Sequence, residues 1–461
     1  MKTLLFKYGE VLYRAGLSLA VFFVAVFTGG ETKKLVPFVV ALLLLLCVGL
    51  FTQKNVKLLT LPFLQLTLLL IFCYDSFSVF IDYIWLAPIV VVALGFYLWR
   101  TKPRFVRGPS LWPLIAVSVA TLLGGVGMIP AADYFRPASI IFMMGLGPGL
   151  VLSYLIMKNE YRDVAVREGF ARDLLWWGLT GAAITMAFIA PKFLAVRVLL
   201  FEDTVQWSNN ISTMLMIAMP AALMQKKRHV GHYLLAAVMF GAVVMVGSRG
   251  GVVFIGIELI ACCFFAWRQE TNRILRFCNC FYFVMALAVA GYLSWFMLSN
   301  AEALALVRPG EARILLLRRG FEDFLKNPLF GSGFGYRGNV DLYNGTQGTI
   351  GWYHLFVAQV VGGLGVCGVL AWGYQLYVRF CLAWRARRDR ECGFAFCYLG
   401  LFLMSMVNPG EFCPVPYAFL AVCFFALLEC HLEDKGDALR HDFYTPWRGF
   451  FKRKQQKADS A

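Results

Sequence analysis

The chain has 461 residues, of which 60% are hydrophobic, with a mean hydropathy of +0.67 and a formal charge of +16. Soluble domains run at about 45–50% apolar residues, so the composition excludes an ordinary soluble enzyme. Apolar runs of about 20 residues recur from end to end, which excludes a β-barrel built from strands of about 10 alternating residues.

Taken in chain order, MKTLLFKYGEVLYRAGLSLAVFF resembles a signal peptide in placing basic residues before an apolar core. No small-residue cleavage site follows, so it reads as a retained first span. Spans are predicted at 14–30, 35–51, 58–74, 77–98, 109–129, 137–157, 173–190, 209–224, 231–247, 250–267, 277–298, 353–378, 393–408 and 414–430. MMGLGPGL (143–150) is the best candidate for a broken helix. The apolar run 231–267 is too long for one span of about 20 residues, and VGSRGG near its middle reads as the tight turn of a helical hairpin. The expected fold is all-α: a polytopic membrane protein of about 14 transmembrane helices (range 12–14). The expected organisation is N-terminal spans in 1–190, a functional core in 191–378, further spans in 379–430 and a basic tail in 431–461. The core includes one long outer loop, 299–352, whose middle, EARILLLRRGFEDFLKNPLF, has the spacing of a short amphipathic helix.

Lysine and arginine set the orientation. With the N-terminus inside, the cytoplasmic segments hold 31 of the 43 basic residues and the outer segments 12. Apart from Arg14 at the edge of the first span, counted here as cytoplasmic, no lysine or arginine falls inside a span, and the basic balance is a matter of topology rather than of nucleic-acid binding. Both termini are then cytoplasmic. The 13 cysteines sit mostly in apolar runs with no zinc-like spacing, as small buried hydrophobes do.

Polar groups gather on the outer face from three other places beside the hairpin turn. PKFLAVRVLLFEDTVQWSNNIS carries Arg197, Glu202, Asp203, Asn209 and Asn210. The long loop carries Arg313, Arg318, Arg319 and Arg337, with Glu311, Glu322, Asp323 and Asp341. WYHLFVAQVVGGLGVCGVLAW opens with His354, the one histidine of five expected outside. GSGFGYRG lacks the Gly-Lys-Ser/Thr ending of a nucleotide loop and follows no strand.

SRGG at the hairpin, RILLLRRGFEDFLKNPLFGSGFG, and His354 followed by Gly365 and Gly368 occur in that order. Together with WSNNISTMLMIAMPAALM, this pattern resembles the bacterial O-antigen ligase and O-antigen polymerase family of GT-C type membrane polysaccharide transferases, over roughly residues 190–375. The family histidine is commonly followed by Asn, Ser or Gln; Leu355 stands here, a departure from the ligase pattern. The resemblance implies a glycan donor on undecaprenyl pyrophosphate at the outer face of the bacterial cytoplasmic membrane. It also implies arginines from the hairpin turn and the long loop on the pyrophosphate, and a histidine that activates the acceptor hydroxyl.

The chemistry asks for these residue types. A departing pyrophosphate gains negative charge, and guanidinium groups bind phosphate through a planar fork while remaining charged. Arg249 and Arg313 are the expected clamp, with Arg197, Asn210, Ser248, Arg318, Arg319 and Arg337 as possible support. Imidazole titrates near neutrality, and His354 is the expected general base for an inverting displacement. Glu202, Asp203, Glu311, Glu322, Asp323, Asp341 and Glu411 are candidates to orient it. No metal or cofactor is expected. The acceptor is a glycan, a lipid or, as in a protein O-oligosaccharyltransferase, a protein. A transporter or flippase for lipid-linked glycan is the alternative from another class. Such proteins place ionisable groups near the midplane, where Asp82 and Glu258 are the clearest acidic examples here.

Overall fold

The structure is a computed structural model, and it describes residues 2–72, 83–196, 208–223, 225, 228–246, 248–299, 311–334, 353–413 and 415–436. Among these residues every regular element is helical. The first helices are α1 (Lys2–Thr28), α2 (Thr32–Thr52), α3 (Thr60–Ile71), α4 (Ala87–Thr101) and α5 (Leu111–Leu123). Next come α6 (Pro137–Met144), α7 (Leu150–Glu160), α8 (Val164–Val196), α9 (Ser208–Leu223), α10 (Val230–Val246), α11 (Arg249–Gln269) and α12 (Arg273–Ser299). The series ends with α13 (Glu311–Lys326), α14 (Phe356–Ala386), α15 (Gly393–Ser405) and α16 (Val415–Asp434). Among the described residues, six helical segments are long and apolar enough to cross a membrane: Tyr8–Thr28, Thr32–Thr52, Ser139–Glu160, Gly250–Gln269, Phe356–Ala386 and Val415–Asp434.

Burial separates inner from outer helices. α9 is apolar on all sides and every residue from Ile211 to Leu223 is buried, because α8, α10, α11 and α15 surround it. α16 is buried over most of its length in the same way. By contrast α12 exposes Ile274, Phe277, Phe281 and Val284 along one side. An apolar side left outward is what a helix bathed in lipid tails presents. The helix expected in the long loop forms as α13, and it too exposes an apolar row, Ile314, Leu317, Phe321 and Leu325.

Polar contacts divide the bundle into two ends. Glu10 and Arg14 of α1 meet Lys57 and Asp173. Glu160 accepts from Tyr97 at 2.8 Å and from the Val56 backbone at 3.1 Å. Arg167 pairs with Asp434, Arg228 with Glu270, and Asp389 with His431 and Lys435. Gln269 donates to Arg388 and Gln225 to Ala171. Every segment that the charge count groups on one side therefore has a residue in contact with another of that group.

Two expectations need correction. The span read as continuous over 353–378 is broken at Gly365, whose φ of 62° and ψ of −157° are not helical. Phe356 and Trp372 would stand about 24 Å apart along a straight helix, yet their ring centroids are 5.3 Å apart. Residues 356–364 thus fold against the start of 366–386, and only the second segment has the length of a crossing. Basic residues are also not confined to the loops. Lys158 lies in the Ser139–Glu160 candidate span, fully buried, 2.6 Å from the equally buried Glu429. Arg379, buried within α14, pairs with Glu411. The spans read from hydropathy stopped short of both residues; the helices continue because each cation has a carboxylate from another helix or loop beside it. At 145–149 the expected break is present, with Gly147 non-helical between α6 and α7.

Candidate functional site

The hairpin turn takes its shape from local hydrogen bonds. Ser248 caps α11 by accepting from the Gly251 N–H at 3.1 Å, and its hydroxyl donates to Asn209 Oδ1 at 2.8 Å. The cap thereby joins the start of α11 to the start of α9. A Cβ at Gly251 would lie 2.8 Å from Ser212 Cβ, so only glycine allows the two helices to approach this closely. Arg249 is the first residue of α11. Asn210, one position along α9, accepts from Asn408 Nδ2 at 3.2 Å, and its carbonyl accepts from Tyr417 at 2.6 Å. Two of the supporting residues expected from the sequence, Asn210 and Ser248, therefore stand together beside the position of Arg249.

The second cluster grows from the break in α14. A broken helix leaves unsatisfied carbonyls on one side and unsatisfied N–H groups on the other. Here the turn after α13 supplies both missing sets. The Gly362 and Gly363 carbonyls accept from Ser332 and Gly333 at 2.8 and 2.7 Å. The Val366 and Cys367 N–H groups donate to Pro328 and Leu329 at 2.8 and 3.2 Å. NPLFGSG and the glycines after His354 are thus two halves of one joint, which is the physical reason for finding both in one chain.

His354 sits two residues before α14, whose first segment leads into this joint, and is half-buried with φ at 51°. A left-handed conformation is uncommon outside glycine, although histidine tolerates it better than most residues. Tyr353 holds the segment in place. Its hydroxyl donates to Asp323 Oδ2 at 2.8 Å, lies 2.9 Å from Ser332 Oγ, and its N–H donates to Gln359 Oε1 at 3.2 Å. Asp323 is fully buried and also faces Lys326 at 3.1 Å and Arg319 at 3.4 Å. One buried carboxylate therefore ties the amphipathic helix to the residue preceding the histidine.

The two clusters meet through residues 406–413. Asn408 reaches Asn210, while Phe412 packs on Phe356 at 5.7 Å, on Trp372 at 5.1 Å and on Phe334 at 6.0 Å. The segment is anchored from below. Glu411 takes Arg379 and, at 3.0 Å, Tyr398, while its N–H donates to Ser405 Oγ at 2.9 Å. Glu411, one candidate to orient the histidine, is thereby engaged with Arg379. Burial pushes the neighbouring Cys413 thiol up to about 12, which makes it a packing residue rather than a nucleophile.

Among the other expected residues, Arg318 is on the exposed surface of α13, 3.0 Å from Glu322. Arg313 and Glu311 lie in the first turn of α13. Arg197, Arg337, Glu202, Asp203, Asp341 and Asp82 fall outside the described residues. Glu258 is fully buried in α11, near Gly400. Sequence reasoning missed Tyr353, Ser332, Asn408 and Phe412. The NPG of MVNPGEF signalled a turn at 406–412, but nothing in it signalled a bridge between motifs. No three of the described His, Cys, Asp and Glu residues are grouped to hold a metal ion. In comparisons with known proteins, no family model and no curated protein matches the chain.

Proposed function

We propose that the protein transfers a glycan from a lipid-linked pyrophosphate to an acceptor hydroxyl, at the outer face of the bacterial cytoplasmic membrane. The observation that carries this reading is the convergence of the hairpin turn at Ser248, the α9 asparagines and the His354 joint at one end of the bundle, bridged by residues 406–413. The resemblance to the O-antigen ligase and polymerase family supports it, since these are the segments that carry the family pattern. In the proposed reaction His354 takes the proton of the acceptor hydroxyl as its oxygen attacks the anomeric carbon. A new C–O bond forms with inversion, the glycosyl–pyrophosphate bond breaks, and its electron pair leaves on the pyrophosphate. Arg249 and Arg313 neutralise that charge. The polymerase and ligase forms differ in the acceptor alone.

The test uses proteoliposomes holding the purified protein and an undecaprenyl-pyrophosphate oligosaccharide. The wild type is expected to consume the donor and release undecaprenyl pyrophosphate. Arg249→Ala and His354→Ala are expected to lower the rate at least about 100-fold at equal protein abundance. Full transfer by His354→Ala would remove the general-base role.

A transporter of lipid-linked glycan is the second reading. It is favoured by the buried Lys158–Glu429 and Arg379–Glu411 pairs and by helices broken at 145–149 and Gly365, since transporters use such features. The same vesicles separate the readings. Movement of intact donor between leaflets without release of undecaprenyl pyrophosphate would favour transport.

A further inference from the structure

The end of the bundle remote from His354 carries a site that the transfer reaction does not use. α9 and α10 run from the Asn209–Ser248 cluster to Gln225 and His232 over about 25 Å. At that far end an open cavity of about 610 Å³ lies between α8, α10, α16 and the turn before α15. Arg167 and Arg172 reach it from α8, Arg390 from the turn, His232 from α10 and His431 from α16. The lining also includes the apolar Ala171, Phe394 and Leu427.

Guanidinium groups outnumber carboxylates by one in the lining of this cavity. Three guanidinium groups face two lining carboxylates, Glu168 and Glu391, and Glu391 is 3.4 Å from His431. Two carboxylates outside the lining pair with these arginines. Arg167 pairs with Asp434, whose side chain is 53% exposed. Arg172, itself 43% exposed, is 3.7 Å from Glu10. Each pair has one exposed member and one largely buried one, Arg167 at 11% and Glu10 at 14%, so an incoming anion reaches Arg172 from solvent and competes with the exposed Asp434 for Arg167. Guanidinium groups from separate elements around one opening match the several oxygens of a phosphate, each able to take a forked pair of hydrogen bonds. The apolar part of the lining is suited to the first methylenes of a lipid chain.

We propose that this cavity binds a phosphate-bearing anion. Its source is an anionic phospholipid of the leaflet beside the helix ends, on the side that the lysine and arginine count assigns to the cytoplasm. A soluble phosphate is the other source of the same chemistry.

Native mass spectrometry of the full chain, equilibrated with equal amounts of phosphatidylglycerol and phosphatidylcholine, tests the lipid. Inorganic phosphate, added during thermal unfolding in detergent, tests the soluble ion. The variants are Arg167→Gln/Arg172→Gln/Arg390→Gln and, in case the triple variant folds poorly, Arg172→Gln alone, which leaves the less exposed Arg167 pair in place. Wild type is expected to retain phosphatidylglycerol over phosphatidylcholine. The triple variant should hold about tenfold less of it, the scale of losing a hydrogen bond to a charged group. Arg172→Gln should lower retention in the same direction, and Arg172→Lys should restore part of it. A phosphate-dependent rise in melting temperature, confined to wild type and unaccompanied by lipid preference, would support the anion site with a soluble source. Equal phosphatidylglycerol retention and equal response to phosphate in wild type and Arg172→Gln, with the triple variant unchanged where it folds, overturns the proposal.

Discussion

Tyr353 illustrates how much of a site can rest on a residue that has no signature of its own. Its hydroxyl lies between Asp323 and Ser332, and its backbone is held by Gln359, one residue before the strained His354. Tyr353→Phe removes the hydroxyl and keeps the ring. Asp323 retains Lys326 and Arg319, so the cost to stability is expected at about 1–2 kcal/mol, the range for one buried hydrogen bond. If the protein transfers glycan as proposed, the effect should be larger in rate than in donor binding, because in that mechanism a displaced His354 affects proton transfer and not the grip on the pyrophosphate. Donor-dependent kinetics check this: a kcat reduced about tenfold or more with KM little changed is the expected result. An unchanged kcat would make Tyr353 a purely structural residue. The sequence singles out His354 because it is the one histidine expected outside. It does not single out Tyr353, because a tyrosine among aromatic residues at a span entrance looks like an interface anchor. Its partner Asp323 was legible only as one of several loop acids. Burial distinguishes them: Asp323 is fully buried, whereas the side chain of Glu322, next to it, is 45% exposed.

Helices were easier to read than their interruptions. Hydropathy placed α2, α9, α10 and α11 to within three residues but missed one end of α1, α4, α8 and α14 by eight to twelve, since an apolar run signals a helix in lipid without signalling where the helix ends. The amphipathic α13 was also legible from its spacing. The break at Gly365 was not, because VVGGLGVCGVLAW is apolar throughout and hydropathy carries no information about direction. The glycines were visible, but the acceptors and donors that replace the lost helical bonds come from 328–333, some thirty residues earlier. Gly365→Ala tests this joint. With φ at 62° and ψ at −157°, the residue occupies a region open essentially to glycine alone, and an added Cβ would meet the Pro328 carbonyl oxygen at 2.5 Å. A loss of about 2–3 kcal/mol is expected, read as a lower melting temperature in detergent together with lost transfer. Gly373→Ala, in the continuous part of α14 with open space around it, serves as the control and should be neutral or slightly stabilising. Equal behaviour of the two variants would mean that the helix tolerates straightening at Gly365.

At the scale of the whole molecule, two independent lines give the same sorting of segments into two ends. The charge count groups segments by lysine and arginine alone, whereas the contacts group them by ion pairs such as Arg14–Asp173, Arg167–Asp434 and Arg228–Glu270. The opposite end is joined by Asn327 to Val126, Ser248 to Asn209 and Asn408 to Asn210. Contacts carry no information about which end faces the cytoplasm; only the 31-to-12 bias of basic residues does. Impermeant maleimide applied to cells decides it. Val126→Cys introduces a thiol at an exposed position on the His354 end, and Arg162→Cys at an exposed position on the basic end. The first is expected to label in intact cells above the wild-type background, and the second only after the membrane is opened. The reverse pattern would put the His354 joint in the cytoplasm, where a donor displayed at the outer face cannot reach it. It would also turn the arginine-lined cavity outward, so this one orientation governs both proposed sites.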